Sequence, residues 1–373
     1  MALTHRGVAI AVFVPALALL SANTISESAP DASAWNAKAA ASYLDERAEW
    51  WTTWKSAQRD HGTFCISCHT TLPYALARPV LRRVLGEREP STPETKILSN
   101  LLTRARMWRD IEPFYPDQTR GIPKTSESRA IESVMNALVL ARRDADMGRL
   151  SEDGKTALGL MWTLQMKTGP QSGAWTWLNF GYEPWESPNS PYFGASMAAL
   201  AVASAPDDYA RAPEIQDSLK ELRGYFQKQY ERESLHNRLV AVWATRALSD
   251  LLTPAERTAV IDQALALQRP DGGWSSSSLG SFKRVDDTPN DTRSDGYATA
   301  LASLALQSGG VGASDPRLMN ALEWLRRNQD RASGRWLASS LNKDRDPDSG
   351  PGKFMSDAAT AYAVLALTMK PSQ

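Results

Sequence analysis

Both cysteines of this chain stand in one five-residue segment, Cys65-Ile-Ser-Cys68-His69. In an exported protein a Cys-x-x-Cys-His segment is typical of c-type haem attachment, because two thioethers hold the porphyrin and the histidine ligates the iron. The whole chain has four histidines, so chance alone does not readily place one directly after the cysteine pair. We therefore predict that Cys65, Cys68 and His69 bind one covalent haem.

Two other chemistries fit the same segment. In an oxidising compartment Cys65 and Cys68 would form an ordinary disulfide, with His69 incidental. A zinc site would need a fourth ligand beyond these three side chains, and His61 is the nearest candidate. The residues alone leave both alternatives open.

The N-terminus indicates export. Residues 1–6 include one arginine, residues 7–20 carry no charge, and small residues follow. This pattern predicts a signal peptide over residues 1–22, with an uncleaved anchor as the alternative. No later run is long and apolar enough to span a bilayer, so we expect a periplasmic or secreted mature chain without a transmembrane span.

The composition indicates a globular protein and excludes one partner class. The 373 residues carry 42 Lys and Arg against 42 Asp and Glu, so no basic surface favours nucleic acid. Tryptophan, with 13 residues, outnumbers tyrosine with 10 and phenylalanine with 8.

From Ala34 onward the apolar spacing is helical, which predicts a single all-α domain over residues 34–370. The even-numbered helices are richer in small residues, which suits an inner layer wrapped by an outer one. The expected helices are 35–58, 72–86, 93–110, 125–147, 152–167, 191–204, 213–230, 235–250, 254–268, 294–307, 315–328 and 356–368.

A repeat accompanies these helices. Helix nine ends at Gln268-Arg-Pro-Asp-Gly-Gly-Trp274, and longer versions run from Gln329 to Trp336 and from Gln165 to Trp175. In each, Gln closes an outer helix, Gly permits a tight reversal, and Trp packs under the next inner helix. The repeat accounts for much of the tryptophan excess.

This repeat resembles the QW repeat of squalene–hopene cyclases and the related protein prenyltransferases. The resemblance covers roughly residues 150–368 and implies an α/α toroid, here of six helical hairpins. An open solenoid of helix pairs is the alternative.

Squalene–hopene cyclases protonate an alkene with the middle aspartate of a D-x-D-D-T-A motif. The matching segment here starts at Asp295, but Tyr297 and Ala298 replace the acid pair. A second register, Asp286-Asp287-Thr288, is followed at once by a proline, which disfavours helical geometry before it. The resemblance therefore implies a toroid that is not a protonation-initiated cyclase.

Together these features predict an exported toroid whose haem serves electron transfer or oxidation of an apolar small molecule, with a redox partner. One alternative is a non-redox isoprenoid- or lipid-binding toroid with a Cys65–Cys68 disulfide. Another is a terpene cyclase or lyase that uses rim carboxylates. Polar residues expected at the inner rim are Glu127, Glu186, Asn189, Tyr192, His236, Asn237, Asp295, Tyr297 and Asp357, with N-capping as the simpler role for the two aspartates.

Ring closure also predicts a second iron ligand. In a six-hairpin ring the twelfth helix is the neighbour of the second, so Met355 would reach the rim that carries His69. His236 opens the eighth helix on the opposite side and is expected to be too distant. We predict Met355 as the sixth ligand, with an open iron site as the alternative.

Overall fold

The computed structural model describes residues 1–3, 35–119, 123–246 and 248–369. The chain divides into two units, residues 1–34 and 35–373. Apart from its first three residues, the predicted signal peptide lies outside the described residues.

The described part of the second unit contains twelve α-helices and no β-strand longer than an isolated bridge. Their bounds are α1 Ala37–Thr53, α2 Thr71–Leu85, α3 Thr92–Arg106, α4 Thr125–Met147, α5 Glu152–Thr163, α6 Ser190–Ser204, α7 Gln216–Gln229, α8 Leu235–Ala244, α9 Pro254–Ala266, α10 Gly296–Ser308, α11 Pro316–Arg327 and α12 Phe354–Thr368.

The even-numbered helices form a closed inner ring. Each packs against the next from α2 to α12, and α12 returns to pack against α2. The odd-numbered helices lie outside and bridge neighbours, as α3 does between α2 and α4. The protein is therefore an α/α toroid of six helical hairpins, as predicted.

Inner and outer helices differ in composition for a physical reason. Every residue of α10 from Gly296 to Leu306 is buried, because the helix is enclosed by two inner neighbours and by the outer layer. Outer helices such as α7 bury one stripe only. Small residues on the inner helices permit this close packing: a Cβ on Gly296 would lie 2.5 Å from Cβ of Trp336.

Three Gln–Trp turns each join one hairpin to the next. Gln268 donates from Nε2 to the carbonyl of Gly272 at 2.9 Å and to that of Arg317 in α11 at 2.8 Å. The indole of Trp274 is fully buried and donates to the carbonyl of Ala264 at 2.7 Å. The corresponding donors elsewhere are Gln165, Trp175, Gln329 and Trp336.

None of the helices in the described ranges is long and apolar enough to cross a membrane.

Candidate functional site

The Cys-x-x-Cys-His segment lies in the turn between α1 and α2, at the rim where the inner helices begin. The side chains of Cys65 and Cys68 are buried and are not joined by a disulfide. Burial raises the pKa of the Cys65 thiol to about 11 and also raises that of Cys68. Both sulfurs are therefore neutral thiols at physiological pH.

The His69 ring is held in an aromatic setting. It stacks on Phe354 with 3.8 Å between ring centroids, and Trp51 meets it edge-on at 5.1 Å. Burial lowers the pKa of His69 to about 3, so the imidazole is neutral at physiological pH.

The hydrogen bonds around His69 define its tautomer. Nδ1 lies 2.9 Å from Oγ1 of Thr70, and that hydroxyl donates to Asp357 at 2.7 Å. Asp357 also accepts from Tyr43 and pairs with Arg47 through both carboxylate oxygens. Because the Thr70 hydroxyl has one proton and gives it to Asp357, Nδ1 must be the donor to Thr70. Nε2 of His69 therefore carries a lone pair.

His69 and Met355 border one cavity of about 180 Å³, here called the aromatic cavity. Met355 is buried there, so ring closure brings the two residues together as predicted, while iron ligation by Met355 stays a prediction. The other lining residues are Trp51, Trp54, Tyr115, Phe180, Tyr182, Glu183, Trp185, Glu186, Ser340, Asn342, Arg345, Pro351 and Phe354.

His61, the fourth ligand of the zinc alternative, is exposed and lies 3.5 Å from the carboxylate of Asp60. Within the described ranges no three His, Cys, Asp or Glu side chains are grouped so as to hold a metal ion. The zinc alternative therefore lacks its fourth ligand.

A second cavity of about 490 Å³ adjoins the first at Glu183, which borders both. We call it the glutamate cavity, because Glu183 and Glu233 are its carboxylates. Burial raises the pKa of Glu233 to about 7, with a contribution from the charge of Glu183, and burial raises the pKa of Glu183 as well. The remaining lining residues are Asn189, Arg232, Ser234, Leu235, His236, Asn237, Arg238, Gln263, Ser278, Leu279, Gly280, Ser281 and Phe282.

A directed chain of hydrogen bonds leads to Glu233. Asn237 donates from Nδ2 to Oε2 of Glu233 at 2.7 Å, so its Oδ1 faces His236 Nδ1 at 3.0 Å and accepts from it. Nε2 of His236 then accepts from the Tyr297 hydroxyl at 2.7 Å. Burial lowers the pKa of His236 to about 4, which keeps the ring neutral.

Glu183 and Glu233 were not predicted from the sequence, although His236, Asn237 and Asn189 were expected at this rim. The two glutamates precede α6 and α8 in separate hairpins, and no motif spacing relates them. The one sequence feature that could have indicated Glu233 as a rim residue is its position directly before Ser234, which caps α8 through its side chain.

The two rim aspartates have different roles. Asp295 caps α10, accepting from the Ala298 amide at 3.0 Å, as expected. Asp357 caps no helix but forms the buried ion pair with Arg47, so the capping interpretation is wrong for it. The pair Asp286-Asp287 lies in an exposed loop, where the Thr288 hydroxyl helps to lower the pKa of Asp286.

A wider cavity of about 810 Å³ lies at the carboxyl ends of the inner helices, lined mainly by apolar side chains. Its three cations are Arg83, Arg142 and Arg246. Positive side chains interact favourably with helix carboxyl ends, so this arrangement needs no ligand to explain it.

No family model matches the chain, and no curated protein does. Among solved structures, the fold is similar to the GH76A α-1,6-mannanase from Salegentibacter sp. HEL1_6, with a TM-score of 0.50, 10% identity and coverage of 89% of this chain and 100% of that one. An inactive variant of that mannanase, with two consecutive aspartates replaced by alanine and α-1,6-mannotetrose bound, gives a TM-score of 0.51 at 10% identity, covering 89% and 99%. At this identity the likeness shows the fold alone.

These comparisons correct the family assignment. The similar structures are α/α toroid mannanases, not squalene–hopene cyclases, so the assignment drawn from the Gln–Trp turns is wrong. The turns close helical hairpins through local hydrogen bonds, a structural task that does not depend on what the toroid binds.

The predicted function is wrong for the same reason. The apolar substrate and the lipid-binding and terpene alternatives rested on the cyclase resemblance, whereas electron transfer rested on the predicted haem. The similar structures are glycoside hydrolases, one with an oligosaccharide bound, and the glutamate cavity is polar rather than apolar. Haem attachment depends on the motif rather than on the family and stays a prediction.

Proposed function

We propose that this protein is a glycoside hydrolase whose active site is the glutamate cavity. The observation that carries the proposal is that Glu183 and Glu233 border one polar cavity with pKa values raised by burial. Most glycoside hydrolases use two carboxyl groups, one protonated and one ionised, on either side of the glycosidic bond.

The pKa of each carboxyl group suggests its role. Glu233, with a pKa of about 7, retains its proton at neutral pH for part of the population and serves as the general acid that protonates the leaving oxygen. Glu183 is then the ionised carboxylate that acts on the sugar or on water. Transfer of the proton from Glu233 ionises it, and Asn237 stabilises that carboxylate through its Nδ2 donor.

His236 and Tyr297 act as positioning residues. Tyr297 donates to Nε2 of His236, and His236 donates from Nδ1 to the side-chain oxygen of Asn237. This oxygen is thereby held towards His236, so the amide nitrogen of Asn237 faces Glu233. We expect these residues to change the pKa of Glu233 without touching the substrate.

The chemistry of the lining suggests the substrate class. Amide and hydroxyl side chains, with Phe282 as one aromatic surface, suit the hydroxyl groups and apolar face of a sugar. The volume of about 490 Å³ lies within the range of small-ligand sites, roughly 300–1,000 Å³. The similar structures act on α-1,6-linked mannose, so α-1,6-mannotetraose is the first probe.

The test is hydrolysis of α-1,6-mannotetraose and of a panel of reducing-end-labelled oligosaccharides. We expect a cleaved member of the panel, with Glu233→Gln and Glu183→Gln each losing about 10²- to 10⁴-fold in rate. Glu231→Gln is the matched control, because Glu231 is exposed and lies two residues from Glu233. Absence of cleavage and of binding across the panel, with a folded wild type, overturns the proposal.

Export belongs to the same proposal. The charged start, apolar run and small residues over 1–22 support a cleaved signal peptide, and an external location suits hydrolysis of a glycan. N-terminal sequencing of protein recovered from the periplasm or medium is expected to begin near residue 23. Protein retained in the cytoplasm with Met1 intact contradicts it.

A further inference from the structure

The aromatic cavity adjoins the glutamate cavity, and Glu183 borders both. We propose that the aromatic cavity binds one neutral sugar unit of an oligosaccharide whose neighbouring unit lies in the glutamate cavity. The proposal takes its ligand class from the proposed function and therefore rests on it. It adds a binding subsite and assigns no further catalytic residue.

The size of the aromatic cavity limits its occupant. Its volume of about 180 Å³ lies below the roughly 300–1,000 Å³ of sites that enclose a drug-sized ligand, so it has room for one sugar ring and not for a chain of them. A porphyrin is too large for this volume, neither cysteine borders the cavity, and Phe354 already stacks on the His69 ring. The cavity therefore does not fit the predicted haem.

Tyr182 offers an apolar surface for the sugar ring. It borders the aromatic cavity and directly precedes Glu183 in the chain. Trp51 and Trp54 pack against each other, whereas no aromatic ring in the described ranges packs against Tyr182. The C–H face of a sugar ring can therefore pack on the Tyr182 ring, since an aromatic side chain gains most from burial of its apolar faces.

Two polar side chains at the cavity have hydrogen-bonding capacity left over. Nε2 of His69 carries a lone pair, and no donor among the described residues hydrogen-bonds to it. Arg345 directs Nε and Nη2 at Oδ1 of Asn342, at 3.4 and 3.3 Å, and its Nη1 has no acceptor in the same part of the chain. A hydroxyl group both donates and accepts, so sugar hydroxyls satisfy the two groups together.

The charges that border the cavity favour a neutral sugar. Glu183 and Glu186 contribute two carboxyl groups to the lining, and Arg345 contributes one guanidinium. A carboxylate on the sugar would be repelled by an ionised glutamate at short range, whereas a hydroxyl would not. We therefore expect an uncharged sugar unit to bind more tightly than a uronic acid.

Binding is measured on the full chain with Glu233→Gln, which removes the proposed general acid, so that the sugar is not consumed. The probes are α-1,6-mannotetraose and the other neutral oligosaccharides of the hydrolysis panel, each beside a counterpart that ends in a uronic acid. The readout is tryptophan fluorescence, because Trp51, Trp54 and Trp185 border the aromatic cavity and no tryptophan borders the glutamate cavity. We expect a saturable change with a neutral oligosaccharide and weaker binding of its uronic-acid counterpart.

Two variants of the lining locate the bound sugar. In the Glu233→Gln background, Arg345→Gln and Tyr182→Leu are each expected to raise the Kd of that oligosaccharide about tenfold, because each removes one contact to the sugar. The matched control is Lys343→Ala, since Lys343 is a cation two residues from Arg345 that borders neither cavity. Circular dichroism checks that each variant is folded.

The outcomes distinguish this proposal from the hydrolase. Binding that both variants weaken, without cleavage of the same oligosaccharide by the wild type, overturns the hydrolase and supports the sugar site. Cleavage by the wild type, with a Kd that neither variant changes, overturns the sugar site and leaves the hydrolase standing. Absence of a saturable fluorescence change across the panel also overturns the sugar site, and tighter binding of the uronic-acid counterpart overturns the preference for a neutral sugar.

Discussion

Gln329, at the end of the last outer helix, forms a reciprocal pair of hydrogen bonds with the backbone of Asn36, 293 residues earlier in the chain. Oε1 accepts from the Asn36 amide at 2.6 Å, and Nε2 donates to the Asn36 carbonyl at 3.0 Å. The repeat that links successive outer helices thus also joins α11 to the start of α1. This side chain closes the ring.

Gln329→Ala is expected to lower the free energy of unfolding by about 1–3 kcal/mol, because backbone groups of Asn36 and Gly334 lose their partner. Denaturant titration followed by circular dichroism measures the change. The control is Gln227→Ala on the exposed face of α7, where we expect no measurable change. Equal stability of the two variants contradicts a role for Gln329 in closure.

Gly334 lies against α1 at the same junction. Its φ is 78°, and an added Cβ would come within 2.3 Å of the Ala39 backbone. Gly310 has a φ of 92° with open space around it, so Gly310→Ala reports backbone strain alone, about 1–2 kcal/mol. We expect Gly334→Ala to cost clearly more than Gly310→Ala in thermal unfolding. Equal losses of thermal stability in the two variants would show that the close contact of Gly334 with the Ala39 backbone in α1 adds nothing to the backbone strain.

Hydrolysis is expected to depend on the ionisation of Glu233. Burial raises the pKa of its carboxyl to about 7, so the acid form is lost as pH rises through that value. kcat/KM should therefore fall about tenfold per pH unit on the alkaline side. His236→Leu leaves the cavity carboxylates in place but releases the Asn237 amide. We therefore expect the pH at which kcat/KM begins to fall to shift in this variant. A profile that is flat from pH 6 to 9, roughly bracketing the pKa, excludes Glu233 as the acid.

Arg104 and Glu132 form a fully buried ion pair, with Nε and Oε1 2.5 Å apart. Arg104→Leu should lower the free energy of unfolding by about 3–5 kcal/mol, because it leaves a carboxylate buried without its partner. Arg104→Leu/Glu132→Leu removes both charges and is expected to recover much of that loss. Calorimetry of the single and double variants measures the difference, and a double variant as unstable as the single one argues against this account.

Much of the fold could be predicted from the sequence, because hairpin formation is local. Helical spacing, the Gln–Trp turns and the small residues of the even-numbered helices depend on contacts within one or two hairpins. Counting six hairpins around a ring also predicted Met355 at the rim that carries His69, and both residues border the aromatic cavity. The same turns led to a wrong family, because a turn that closes a hairpin carries no information about the ligand.

The helical hairpins and the Cys65-Ile-Ser-Cys68-His69 motif can be recognised in the sequence, because both are patterns of residues close together in the chain. Only the tertiary structure brought Glu183 and Glu233 to one cavity, because they lie in different hairpins and their pKa values depend on burial by the closed ring. It also decided the tautomer of His69. The hydroxyl of Thr70 donates to Asp357, 287 residues away, and a contact over that distance in the chain cannot be predicted from a local sequence pattern.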